Sequence, residues 1–203
     1  MKKILFFCLV LPFLFSGCTT DKNTLAIKKG AKIRENDAYN IAKIIDSVGF
    51  PNIDYVKCST NGNYKHCTIE NYDALFNISL ELEDNKIKFI SDYKGILYAD
   101  NSIKKNYNDA NISKTDFINL VENSKNITKQ NLKSPYSANF KNWEEWQQAI
   151  TKDYVELSSF VDSQNSFGAY ISTPIEFKYK RVHGISEKYQ LSEAQIGTIK
   201  IKN

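Results

Sequence analysis

A chain of 203 residues with 42% hydrophobic and 25% charged side chains is long enough for one buried core or two small ones. Its formal charge is +4, with Lys, Glu and Asp scattered along the chain rather than gathered in basic blocks. That distribution argues against a phosphate-tracking surface, so no nucleic-acid partner is expected.

Lys2 and Lys3 precede an uninterrupted apolar run from Ile4 to Phe15. The run is shorter than the roughly 20 residues a membrane-spanning helix needs, and with its basic flank it has the layout of an export signal. Phe15-Ser16-Gly17-Cys18 comes next. This tetrapeptide resembles the lipobox of bacterial lipoproteins, with Phe15 in place of the usual Leu. The resemblance implies a signal peptide over residues 1–17, cleavage after Gly17, a diacylglycerol thioether on Cys18 and, in many species, N-acylation with a fatty acid such as palmitate. Each buried CH₂ then contributes about 0.8 kcal/mol to anchoring. Thr19 stands where Asp would favour inner-membrane retention. The implied address is therefore the cell envelope, on the periplasmic side of the outer membrane in a Gram-negative host. Loss of Lys2 and Lys3 lowers the charge from +4 to +2.

Residues 18–32 are polar without a sustained apolar period and are expected to form a tether. Residues 33–100 are expected to form an α+β module. Asn36 is placed to cap a helix whose inner face is Ala38, Ile41, Ala42, Ile45 and Val48, ended by Gly49 and Pro51. Ile53 to Cys58 and Cys67 to Tyr72 form the arms of a hairpin turning at Asn61-Gly62. Phe76, Ile78, Leu80 and Leu82 alternate with polar residues as a half-buried strand, and Ile87 to Leu97 returns after a turn at Asp84-Asn85. With Cys8 lost in the signal and Cys18 lipidated, Cys58 and Cys67 remain. In an exported protein such a pair forms a disulfide. The rival reading, a metal held by Cys58, His66 and Cys67, offers only three ligands, and no metal or cofactor is expected.

Residues 101–112 read as an exposed polar linker. Asp109-Ala110-Asn111-Ile112-Ser113 within it matches the acidic sequon of bacterial N-glycosylation, marking Asn111 as a candidate glycan acceptor. Residues 113–203 then form a second module. Ser113 with Asp116 resembles a capping box, and Phe117, Leu120, Val121 and Ser124 face inward from the helix that follows. Trp143 and Trp146 lie in a short helical turn, either as a partner-docking stripe or as a lid over the core. Val155 to Val161 and Ile171 to Lys180 alternate as strands, and Ile196 to Ile201 makes a last one.

Leu132-Lys133-Ser134-Pro135-Tyr136-Ser137-Ala138-Asn139-Phe140 and Val161-Asp162-Ser163-Gln164-Asn165-Ser166-Phe167-Gly168 together resemble a module of uncharacterised exported bacterial proteins. In those proteins a helix ends in L-K-x-P-x-S-A-x-F and a strand carries V-D-A-Q-N-S-F-G. The resemblance spans residues 113 to 180 and implies a cystatin-like or NTF2-like α+β fold, with no activity attached. Lys141 to Lys152 makes the link between the motifs longer than usual. Asp162, Gln164 and Asn165 either form a hairpin turn or line a polar pocket at the sheet edge.

No nucleophile elbow, zinc helix or phosphate loop occurs, and the only histidines, His66 and His183, lie far apart. Glu144 and Glu145 point about 100° apart on a helix, unsuited to flanking a glycosidic bond. The expectation is a lipid-anchored envelope protein that binds or scaffolds an envelope protein partner and is not an enzyme. Two alternatives remain: an inhibitor presenting the Ser59–His66 loop to a lysozyme or protease cleft, and an enzyme whose carboxylates converge only on folding.

Overall fold

The computed structural model describes residues 21–182 and 188–202. The lipobox with Cys18, and His183, lie outside the described residues. The fold is mixed α+β, with two six-stranded antiparallel sheets, each burying one face under helix.

In the first module α1 (Lys22–Ala31) and α2 (Glu35–Ser47) precede a meander of β1 (Tyr55–Asn61), β2 (Tyr64–Glu70), β3 (Ile78–Glu83), β4 (Lys86–Asp92), β5 (Gly95–Ala99) and β6 (Ser102–Ile103). Each strand pairs with its neighbour in sequence. Asp84 with Asn85 and Asp100 with Asn101 adopt positive φ at the two-residue turns, a geometry short polar side chains tolerate. Ile78, Leu80 and Leu82 of β3 are buried beneath α2, which contributes Ala38, Ile41, Ala42 and Ile45 as the helical period requires. The cap of α2 is Arg34, not Asn36. The single return strand expected over Ile87 to Leu97 is two strands, β4 and β5, because the chain turns at Tyr93-Lys94.

The expected tether is corrected by α1. Its buried positions are Asn23, Thr24, Ile27 and Ala31, so half the inner face is polar and no apolar period shows. Gly30 lies inside this helix because α1 meets β1 there: a Cβ would sit 2.4 Å from the Val56 carbonyl oxygen. The expected linker is corrected too. After β6, α3 (Tyr107–Ala110) sends Tyr107 into the first core, edge-on to Phe50 at 5.0 Å, its hydroxyl donating to the Phe76 carbonyl.

In the second module α4 (Lys114–Asn131) crosses a sheet of β7 (Asn139–Phe140), β8 (Gln147–Ile150), β9 (Tyr154–Gln164), β10 (Tyr170–Arg181), β11 (Tyr189–Ile196) and β12 (Ile199–Lys202). The order is β12-β11-β10-β9, and β7 and β8 share the free edge of β9. The expected last strand is a hairpin of β11 and β12 turning at Gly197, whose φ is +57°. Ser113 caps α4 by accepting from the Asp116 amide at 2.9 Å. Phe117, Leu120 and Val121 are buried, and so are Ser124 and Thr128, whose hydroxyls donate to carbonyls one turn back.

The modules are joined by reciprocal contacts. From the first module, Lys94 donates to the carbonyls of Ala110 at 2.7 Å and Ile150 at 3.0 Å. From the second, Arg181 donates to those of Asn108 and Thr151 at 2.8 and 2.9 Å. Leu75, between β2 and β3, packs on the second core.

Candidate functional site

The two motifs singled out in the sequence meet in space. Pro135–Ser137 forms a single 3-10 turn after α4, and the Ser137 hydroxyl accepts from the Gln164 amide at 2.8 Å. Asn139 and Phe140 then pair with Asp162 and Val161. Asp162 and Gln164 thus serve the ladder of β9. Asn165 closes the β9–β10 hairpin: its side-chain oxygen accepts from the amides of Phe167 at 2.9 Å and Ala169 at 3.1 Å, and Gly168 takes φ +83°. Of the two readings for these three residues, the geometry is that of the turn.

That turn holds apolar side chains out in solvent. Phe167 is 94% exposed and Tyr136, presented by the 3-10 turn tied to it through Ser137, is fully exposed. Phe160, Tyr170 and Ile171 on the adjoining strands are about half exposed or more. This end lies at the C-terminus of α4, whose 18 residues separate it by about 27 Å from the module junction.

Trp143 and Trp146 are not part of this surface. Between β7 and β8 the chain leaves the sheet edge in a 3-10 turn, Trp143–Glu145, and this excursion is the extra length between the motifs. Trp146 is 3% exposed, and Trp143 packs edge-on to Phe117 at 6.1 Å. Of the two readings for the tryptophans, the geometry is that of a lid on the second core.

The face of the second sheet turned away from α4 carries a trough of about 590 Å³. One row across it runs Glu156, Lys178, Glu193, Lys202 on successive strands, a ladder of alternating charge. Lys178 contacts Glu156 at 2.8 Å, and Lys202 contacts Glu193 at 3.9 Å. The Glu156 hydrogen bond holds the Lys178 proton more tightly than usual. The next row runs Gln147, Ser158, Glu176, Gln195, Lys200. Three glutamates thus converge here, but three lysines answer them, which cancels the field a charged substrate would feel.

In the first module Cys58 and Cys67 lie opposite each other on β1 and β2 and form a disulfide. Both thiolates are consumed, which leaves His66, exposed on β2, without the sulfur ligands of the metal reading. The Ser59–His66 segment is a hairpin rather than a loop, with strand pairing out to Asn61 and Tyr64 and a turn at Gly62-Asn63, one residue later than expected.

Asn111 is 1% exposed. Its amide nitrogen, where a glycan would be attached, donates to Asp92 Oδ2 and the Tyr107 carbonyl, both at 3.0 Å. The glycan-acceptor reading is corrected accordingly: the sequon residue is a packed junction residue. Sequence patterns missed the exposed aromatic end because residues 136, 160, 167 and 170 share no period. The β9–β10 hairpin gathers Phe160, Phe167 and Tyr170, and the Ser137–Gln164 bond adds Tyr136.

No protein-family model, curated protein or solved structure matches the chain.

Proposed function

We propose that this chain is a lipid-anchored protein of the bacterial cell envelope that binds a protein partner through the exposed aromatic end of its second module. The observation that carries the reading is the set Tyr136, Phe160, Phe167, Tyr170 and Ile171, exposed around one braced hairpin. Aromatic side chains supply large contact area with little rotamer entropy to lose, which is why interfaces concentrate binding energy in them. The hairpin is stiffened by Asn165 and fastened to the turn after α4 by Ser137, so the surface is organised before any partner arrives. Membrane attachment rests on the lipobox with Cys18, and the balanced charge of the trough favours binding over chemistry.

The test has two arms. Intact mass from native membranes, wild type beside Cys18→Ser, should show an acylated N-terminus at Cys18 that the variant loses along with membrane association. A photo-crosslinking residue at Phe167 should trap one discrete envelope adduct in cells, abolished by Tyr170→Ser and unchanged by Lys178→Ala. An unmodified mass sinks the address. Adducts arising equally from Phe167 and from a probe at Lys200 in the trough sink the aromatic surface.

A further inference from the structure

The structure begins its fold almost at the anchor. Asp21 caps α1, accepting from the Thr24 amide at 2.8 Å, and the next residues are fastened as well. Asn23 is buried: its side-chain oxygen accepts from the Ile53 amide at 2.8 Å while its nitrogen donates to Asp46 at 3.1 Å. Lys22 reaches Asp54 at 2.6 Å, and Asp54 also accepts from the Tyr72 amide at 3.0 Å. The first turn of α1 is thereby locked to the start of β1 and the end of β2, with no slack to pay out.

Cys18 lies three residues before Asp21. Whatever their conformation, three residues span at most about 11 Å. A lipid on Cys18 therefore holds this end of the first module within one headgroup layer of the bilayer, where a free tether of some 15 residues would have let the module drift. The surface around the locked turn suits that position. Leu25, one turn along α1, is 41% exposed, Tyr55 beside Asp54 is 51% exposed and Tyr72 is 81% exposed. Tyrosine places an apolar ring and a polar hydroxyl across a membrane–water boundary.

We infer that this end of the first module, at which Leu25, Tyr55 and Tyr72 are exposed, lies against the phospholipid headgroups of the membrane that holds the anchor. The inference rests on lipidation of Cys18. It sets the orientation of the whole molecule, since the first module is stapled to the second at Lys94 and Arg181.

The test uses the full lipidated protein in phospholipid vesicles carrying a headgroup nitroxide. Single cysteines at Leu25, Tyr72 and Thr60 are labelled with a fluorophore, the native pair Cys58–Cys67 being closed. Thr60 lies about 20 Å along β1 from Asp54 and is the distant control. Labels at Leu25 and Tyr72 should be quenched severalfold more than one at Thr60. A twelve-residue Gly/Ser insert between Thr20 and Asp21 should abolish the difference while the protein stays vesicle-bound. Intact mass is read first. An unacylated Cys18 overturns the anchor and this inference together, an acylated protein quenched equally at all three sites overturns the orientation alone, and a difference that survives the insert overturns the short link as its cause.

Discussion

The two modules solve one problem, a helical layer over an antiparallel sheet, with different interiors. The first is chiefly aliphatic between its layers, with Ile27, Ile41, Ile45, Ile53, Ile69, Leu80, Leu82 and Ile90 at 2% exposure or less and Phe50, Tyr98 and Tyr107 as its buried aromatic rings, and it is cross-linked between β1 and β2. The second, with no disulfide, fills its core with Phe117, Trp146, Phe177 and Tyr179 and buries hydroxyls among them. The Tyr179 hydroxyl lies 2.8 Å from Ser124, which itself donates to Leu120. The aliphatic interior is non-directional and gains its stability from area removed from water. The second adds the directional hydrogen bonds of Ser124, Thr128 and Tyr179 within its aromatic interior. Both modules leave aromatic side chains outside, tyrosines alone on the first and Phe160 and Phe167 beside Tyr136 and Tyr170 on the second. What differs between them is therefore the kind of interior, one cross-linked and chiefly aliphatic, the other richer in aromatic rings and buried hydroxyls.

The sharpest way to break this comparison is to empty each core. Leu80→Ala should cost about 2–5 kcal/mol and Phe177→Ala about 3–5 kcal/mol, read as denaturation midpoints in urea. Because Lys94 and Arg181 each bond across the junction, both substitutions should move a single cooperative transition. Two separated transitions in either variant would mean that the modules fold independently and that the reciprocal bonds do not couple them.

A smaller loss, confined to the first module, is expected on opening the disulfide. Its sequence separation is 9, and the chain-entropy account assigns so short a loop about 2–3 kcal/mol. A Cys58→Ala/Cys67→Ala variant should lose that much stability while a probe at Phe167 keeps its crosslink. Loss of the crosslink in the folded variant would show that the first module shapes the surface and does not merely carry it.

Much of this architecture was legible beforehand, for reasons visible in particular residues. Ile78, Leu80 and Leu82 alternate, Phe117, Leu120 and Val121 keep a helical period, and Ser113 stands where a cap belongs, so β3 and α4 could be placed. The disulfide is legible as the one cysteine pair outside the signal-like N-terminus. What was not legible lay where packing is polar or local pattern is weak. Asn23 and Thr24 are buried through hydrogen bonds, so α1 shows no apolar period. Tyr107 and Asn111 are buried from a stretch that likewise has none, so its packing at the junction leaves no mark in the spacing. The aromatic end could not be read from spacing, since Tyr136 reaches the β9–β10 hairpin only through the Ser137–Gln164 bond, between residues 27 apart.

A third comparison is chemical. Tyr107 in the first module and Tyr189 at the border of the second both have hydroxyls pushed up to about 12, chiefly by burial, with the Asp116 carboxylate adding to it at Tyr189. An unfolded tyrosine titrates near about 10. A folded value above the unfolded one means stability that is complete below about pH 10 and lost as pH rises through about 12. Urea midpoints should therefore fall across that interval, and Tyr107→Phe or Tyr189→Phe should each flatten part of the fall. An equally steep fall in both variants would place the alkaline sensitivity elsewhere, and the two modules would no longer share it.

The smallest expected effect belongs to the charge ladder, and it separates electrostatics that organise a face from electrostatics that stabilise a fold. Lys178 is exposed enough that water screens its pairing with Glu156, and exposed pairs of this kind contribute little. Lys178→Ala should leave the urea midpoint within error of wild type. Glu193→Lys should do more, because it sets a third positive charge between Lys178 and Lys202 on adjacent strands, where like charges repel directly. Added salt should relieve that loss by shortening the range of the repulsion. A salt-insensitive loss would mean that position 193 matters through packing against its neighbours, and the trough would then belong to the stability of the second module as much as the rings of its core do.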